Sequence, residues 1–376
     1  MIEHSANLNL WLTTEVLPFW ATKGRDYIGF VEKMSLDGTP LTNVKRCRVQ
    51  TRQIYCFSEA GRLGWNGPWA DLVRHGLSFL LSYYPRSDGS FFFSVNRDGT
   101  PLDDAAKNYD LAFVIFSLAH ASSSLGERSL EMVALGVLDF LERERSNPMG
   151  GFYEGNNEDP VLCLANPHMH LFEAALAWRE IAGSSLRWQM LADSLGELAT
   201  SSLIDPKTGS ICEHYDSAWR PVAVREHPSV EPGHQFEWAW LLLRWRQHSE
   251  IIMHAARLYE FGAAFGIDPE HDIVINEVEP SGRMADAGAR LWPQTEWIKA
   301  ASAISRCADG GHEPRFETDL DRAVRALKLF LRSPHPSLWH DRFKDGKMVA
   351  DVAAATSLYH IVGAISELNA HLSVKG

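Results

Sequence analysis

Two short segments share one pattern, His170-Leu171-Phe172-Glu173 and His234-Gln235-Phe236-Glu237. At i, i+3 on a helix, each histidine and its glutamate lie on one face, close enough to hydrogen-bond or to converge on one ligand. A third histidine, His360, follows Thr356-Ser357-Leu358-Tyr359 at the head of an apolar stretch. A neutral imidazole, with an ordinary pKa of about 6.5, takes and gives protons at physiological pH. Three of them therefore suggest acid–base work. Asn166, four residues before His170, reaches the same helix face. His168 points about 200° away and is read as structural. A metal reading fits poorly: di-iron helical bundles use Glu-x-x-His, the reverse order, and no His-Glu-x-x-His occurs. No metal and no cofactor is assigned.

Side chains so spaced must be carried by regular elements. Helical periodicity dominates, and it predicts helices over 8–20, 44–61, 68–84, 105–122, 130–145, 167–182, 186–201, 233–247, 251–266, 285–307, 317–333 and 352–372. Asn166 before Pro167, and Asp104 before the helix holding Tyr109, read as N-terminal caps. Residues 90–95 read as a hairpin arm. The connections 64–68, 150–157 and 231–233 are rich in Gly, Pro, Asn and Asp. Twelve helices make six hairpins, and His170 to His234 to His360 are steps of 64 and 126 residues, one hairpin and nearly two. Six hairpins close into a ring with one helix of each pair inside, which places all three imidazoles at one end. An open α-solenoid is the structural alternative. No linker or low-complexity tract divides the chain, so 1–376 is read as a single domain.

Composition narrows the class. With 45% hydrophobic and 22% charged residues the chain is globular. A net charge of −12 argues against nucleic acid or an anionic membrane as partner. No apolar run approaches the 18 or so residues of a membrane span. Five cysteines without a C-x-x-C pair are neither a disulfide framework nor a zinc site, and a cytoplasmic location is expected. Thirteen tryptophans fit a large core or a pocket for apolar sugar faces. The oligomeric state is open, with a homodimer allowed.

Motifs in a fixed order carry a resemblance. They are Arg52-Gln53-Ile54-Tyr55-Cys56-Phe57-Ser58, Asn108-Tyr109-Asp110-Leu111-Ala112-Phe113, Asn166-Pro167-His168-Met169-His170, Gly233-His234-Gln235-Phe236-Glu237, Trp292-Pro293-Gln294-Thr295-Glu296 and Leu358-Tyr359-His360. Over essentially its whole length the chain resembles the N-acylglucosamine 2-epimerase superfamily, most closely its mannose isomerase branch. That resemblance implies an all-α (α/α)6 barrel that interconverts D-mannose, or a related free sugar, and D-fructose through an enediolate without a metal. It implies His234 and His360 as the proton-transfer pair, His170 in ring opening and Arg52 on the enediolate. Glu173 and Glu237 would orient their histidines. Tyr109, Asn166 and Gln294 would bind hydroxyls, and Trp292 would stack on the sugar. A 2-epimerase on the same barrel is the alternative. A glycoside hydrolase would need two facing carboxylates, and a non-catalytic ring would not need the three histidines. No basic cluster marks a phosphate site.

Overall fold

The computed structural model describes residues 2–42, 44–154, 163–307 and 314–373. Gly155, Asn156 and Asn157, part of one connection named above, lie outside them. Thirteen α-helices are present among the described residues. They are α1 (Ile2–Trp11), α2 (Leu17–Lys23), α3 (Cys47–Arg62), α4 (Trp69–Tyr83), α5 (Asn108–Leu125), α6 (Leu130–Glu144), α7 (Ala165–Arg179), α8 (Leu186–Leu198), α9 (Pro232–Trp245), α10 (Ser249–Phe265), α11 (Leu291–Cys307), α12 (Pro314–Phe330) and α13 (Ala355–Ser373). A π-helical turn over Leu12–Val16 joins α1 to α2, so the helix expected over 8–20 is interrupted.

The helices sort by how much of their circumference is apolar. Nearly every residue of α5 from Asn108 to Ala119 is buried, and so is α9 from Pro232 to Leu243. A helix apolar all round has to sit inside. By contrast α4 buries a single stripe, Leu72, Val73, Gly76, Leu77, Phe79 and Leu80, and leaves Asp71 and Arg74 to solvent. Helices α3, α5, α7, α9, α11 and α13 each pack against the next, and α13 packs back on α3. The partner of α13 on the outside is α1, from the other end of the chain; Asn369 Nδ2 donates to Asn9 Oδ1 at 3.2 Å.

Among the described residues thirteen short strands lie between the helices and form small antiparallel sheets. These are β1 (Lys33–Ser35), β2 (Pro40–Leu41), β3 (Val44–Arg46), β4 (Ser94–Asn96), β5 (Pro101–Asp103), β6 (Cys163–Leu164), β7 (His214–Tyr215), β8 (Ile267–Asp268), β9 (Ile273–Val278), β10 (Met284–Arg290), β11 (Arg342–Lys344), β12 (Lys347–Met348) and β13 (Val352–Ala354). The sheet orders are β13-β1-β2, β3-β4-β5, β6-β7 and β12-β11-β10-β9-β8. Strands β3, β6, β10 and β13 run directly into the first turns of α3, α7, α11 and α13.

Several expectations are corrected here. The segment 285–290 is strand rather than the start of a helix, because β10 pairs with both β9 and β11. Residues 44–46 and 352–354 are likewise strands. The hairpin arm lies at 94–96, a few residues later than expected, and β4 is the middle strand of its sheet. Asn166 is inside the first turn of α7, whose cap position is Leu164, and Asp104 lies before Lys107, which caps α5 without a side-chain bond.

Candidate active site

The first turns of the inner helices gather at one end. Tyr109 is the second residue of α5, Asn166 of α7 and Trp292 of α11, and His234 is the third residue of α9. One helical turn further in stand Arg52, His170, Glu237 and His360. These eight side chains line one cavity of about 200 Å3, together with Glu231, Arg290, Thr356 and Ser357. The helix dipoles turn their positive ends toward this end, which favours an oxyanion.

Trp292 is placed by a close approach. A Cβ on Gly233 would stand 2.6 Å from the indole, so only glycine lets the ring lie against the start of α9. The indole then has His234 at 4.8 Å and His360 at 5.6 Å between ring centroids, and the Arg290 guanidinium 5.1 Å from its ring.

Each histidine finds a carboxylate, but not always the one that helical spacing suggests. His170 Nδ1 bonds Glu173 Oε2 at 3.2 Å, as expected from i, i+3. The same oxygen accepts from Tyr359 Oη at 2.5 Å. Glu173 therefore stands behind His170 and is not part of the cavity wall. His234 departs from expectation: its Nδ1 meets both oxygens of Glu213 at 2.9 Å, and not Glu237. Glu237 is fully buried, and neither of its oxygens has a hydrogen-bond partner among the described residues. Lys299 Nζ lies 3.8 Å from its Oε1. His360 Nδ1 bonds Glu296 Oε1 at 2.8 Å, and Glu296 Oε2 lies 2.5 Å from Lys299 Nζ.

These partners pull the imidazoles apart in basicity. Burial would lower His234, but the charges of Glu213 and Glu231 and the bond to Glu213 raise its pKa to about 9. Burial lowers His170 to about 4 against the pull of Glu173. Burial, with the positive charges of Arg52 and Lys299, holds His360 well below the ordinary imidazole range. Around neutral pH His234 is cationic and the other two are neutral. Burial pushes the Glu237 carboxyl up, and the nearby Glu296 adds to that.

Arg52 is packed between aromatic faces, 4.2 Å from the Phe113 centroid and 4.9 Å from that of Tyr359, and donates to Tyr109 Oη at 2.6 Å. Among the described residues it has no carboxylate partner. A buried cation without a carboxylate partner is a strong site for a developing negative charge.

Gln294 is not in the cavity. It is fully buried; its Oε1 accepts from Val274 N–H at 2.8 Å, and its Nε2 donates to Val274 C=O at 2.9 Å. Gln50 makes the same two bonds to Phe30, and Gln235 to Ile211. His168 joins Phe152 N–H to Leu164 C=O, at 2.8 and 2.7 Å, in keeping with a structural residue. All four fasten the first turns of inner helices to the segments before them.

Helical spacing does not point to Glu213, which lies in a connection 21 residues before His234. Glu296 and Lys299 carry a signal in the sequence, two charges at i, i+3 in the mostly apolar stretch Glu296–Ala303. Two sets of ligand-capable atoms lie within 4.8 Å of one another, His170/Glu173/Glu237 and Glu213/Glu231/His234. In the second, Glu231 is paired with Arg290 at 2.5 Å. A second cavity of about 330 Å3 adjoins the first through Asn166 and Glu231 and includes Glu213, Arg225 and Glu277.

This arrangement of opposed imidazoles, an aromatic platform and a lone guanidinium is suited to moving a proton next to a sugar carbonyl. Residues 29–364 match the N-acylglucosamine 2-epimerase (GlcNAc 2-epimerase) family, and the chain belongs to it. It is thus a sugar isomerase or epimerase. The chain is 41% identical over 370 residues to a Rhizobium meliloti (strain 1021) protein named mannose-6-phosphate isomerase, covering 95% of each. The fold matches cellobiose 2-epimerase from Bacillus thermoamylovorans B4167 with a TM-score of 0.87 at 17% identity, over 98% of this chain and 99% of that one. It matches a D-mannose isomerase with a TM-score of 0.85 at 20% identity, over 98% of both. No helix among the described residues is long and apolar enough to cross a membrane.

Proposed function

We propose that the chain is an (α/α)6 barrel that isomerises D-mannose, or a closely related free hexose, to D-fructose without a metal. The observation that carries this reading is the pair of imidazoles beside Trp292, 4.8 and 5.6 Å from it between ring centroids, of which His234 is held cationic and His360 neutral. Pairs of groups whose environments separate their pKa values mark acid and base. Neutral His360, with Nδ1–H held by Glu296, presents its Nε2 lone pair and takes the C2 proton. The electrons form a C1–C2 double bond as the C1 carbonyl opens, and Arg52 stabilises the negative charge that develops on O1 until cationic His234 protonates it. His360 then returns its proton to C1, and O2 gives its own to the now neutral His234 as the C2 carbonyl forms. His170 acts earlier, on ring opening, and Glu237 faces the sugar. Trp292 offers a face for its apolar side; Tyr109 and Asn166 offer hydroxyl partners.

In the ligand-capable sets Glu231 is paired with Arg290 and Glu173 accepts from Tyr359, which supports chemistry carried by the protein alone. The free sugar is preferred because Arg290 is neutralised by Glu231, leaving Arg52 rather than a basic cluster for a phosphate. One observation favours a second reading. A cationic His234 opposite His360 could return the proton to C2 from the other face, which is 2-epimerisation.

NMR of the protein with D-mannose in D2O, with and without EDTA and with His360→Ala, decides between them. Fructose that forms despite EDTA and vanishes in the variant is the expected result. Glucose without fructose would move the chain to the epimerases. Loss of turnover with EDTA would end the metal-free mechanism. Turnover of D-mannose 6-phosphate but not D-mannose would end the free-sugar reading.

A further inference from the structure

Lys299 is 2% exposed and lies one turn below Glu296 on α11. Its ammonium is 2.5 Å from Glu296 Oε2, 3.8 Å from Glu237 Oε1 and 3.8 Å from the centroid of the Trp240 ring. The charged and titratable groups turned toward this space are Glu237 from α9, Glu173 and His170 from α7, Arg52 from α3, and His360 and Tyr359 from α13. Three carboxylates thus share a dry region in which Lys299 is the cation touching two of them. An unpaired buried charge is costly, and like carboxylates in contact take up a proton.

Glu296 links this cluster to the reaction. One oxygen faces Lys299 and the other His360 Nδ1. A neutral imidazole has one N–H, so the partner of Nδ1 decides whether Nε2 carries a lone pair or a hydrogen. We propose that Lys299 is a positioning residue: it keeps Glu296 a carboxylate that accepts from His360 Nδ1–H, and so keeps the His360 Nε2 lone pair toward the sugar. Without that ammonium a proton settles on Glu296, whose hydroxyl then donates to Nδ1, and the hydrogen of His360 moves to Nε2. The substrate would meet N–H where it needs a base. This role rests on the reading of His360 as the base.

The test is 15N NMR of histidine-labelled protein without substrate, with the His360 resonances identified by their loss in His360→Gln. The wild type is expected to show His360 as the Nδ1–H tautomer and Lys299→Met as the Nε2–H tautomer. With D-mannose, kcat of Lys299→Met falls on the order of 100- to 10,000-fold, the span of one general base, with little change in KM. A Lys299→Met protein with native near-ultraviolet circular dichroism that retains the Nδ1–H tautomer would overturn the proposal. If Lys299→Met does not fold, Lys299→Gln, uncharged and of similar reach, is read in the same way. A wild type that isomerises no sugar would overturn the proposed reaction instead, and the tautomer measurement, which uses no substrate, still decides the role of Lys299.

Discussion

Glu213 does for His234 what Glu296 does for His360, yet one imidazole is held cationic and the other neutral because of what else surrounds them. His234 faces Glu213, Glu231 and Glu237, so a proton on the ring is held by several carboxylates. His360 faces Arg52 and Lys299, which repel one. If His234 must be protonated to act, kcat/KM falls as pH rises through about 9. Glu213→Gln removes a contact charge and lowers that limb by roughly one to three pH units. At pH 8 the variant should lose activity on the order of tenfold while keeping it near pH 6. A pH–rate profile whose alkaline limb did not move would separate Glu213 from His234. The same shift enters stability. A raised imidazole pKa stabilises the fold fully below its unfolded value of about 6.5. That contribution is lost as pH rises through about 9.

At the scale of elements, the recurring device is a side chain that clasps the backbone before its own helix. Gln294 ties α11 to β9 through both Val274 groups, in a place with no water to replace them. Gln294→Met should therefore cost about 1–3 kcal/mol by leaving Val274 N–H and C=O unpaired. A thermal melt would show that loss, with KM for the sugar unchanged within error. A raised KM at an unchanged melting temperature would restore Gln294 to the substrate. The sequence made inner helices such as α5 and α9 legible because they are apolar on nearly every face, and the hairpin period because such helices alternate with one-sided ones such as α4. It did not show that Met284–Arg290 is a strand, since Met-Ala-Asp-Ala-Gly-Ala-Arg has helix-forming composition that pairing with β9 and β11 overrides. Nor did it show Glu213, because a partner in a connection obeys no helical period. Eight of the ten chosen site residues line the cavity; Glu173 stands behind His170, and Gln294 resembled a polar site residue while serving the backbone.

For the whole molecule, the decisive contact is the one between chain ends. In an open stack the first and last hairpins have no common interface. Here α13 packs on α3, β1 pairs with β13 through Lys33 and Ala354, and Gln53 Nε2 donates to Ala355 C=O at 2.8 Å. Asn9 and Asn369 join the outer helix α1 to α13. Each connection between hairpins then has the same standing as the gap between the ends. A circular permutant that joins the two ends through a flexible linker and opens the exposed β4–β5 turn between Arg97 and Asp98 loses no helix–helix interface. It should unfold in one cooperative transition and keep sugar turnover within about tenfold of the parent, since a cut at an exposed turn tip displaces none of the helices that carry the cavity residues. The cavity makes this a strict test, because Arg52 and His360 come from opposite ends of the chain and meet only if the ring is closed. A permutant that melts in two separated steps, or binds sugar without turning it over, would show that the α13–α3 seam is weaker than the others and that the site depends on where the chain is cut.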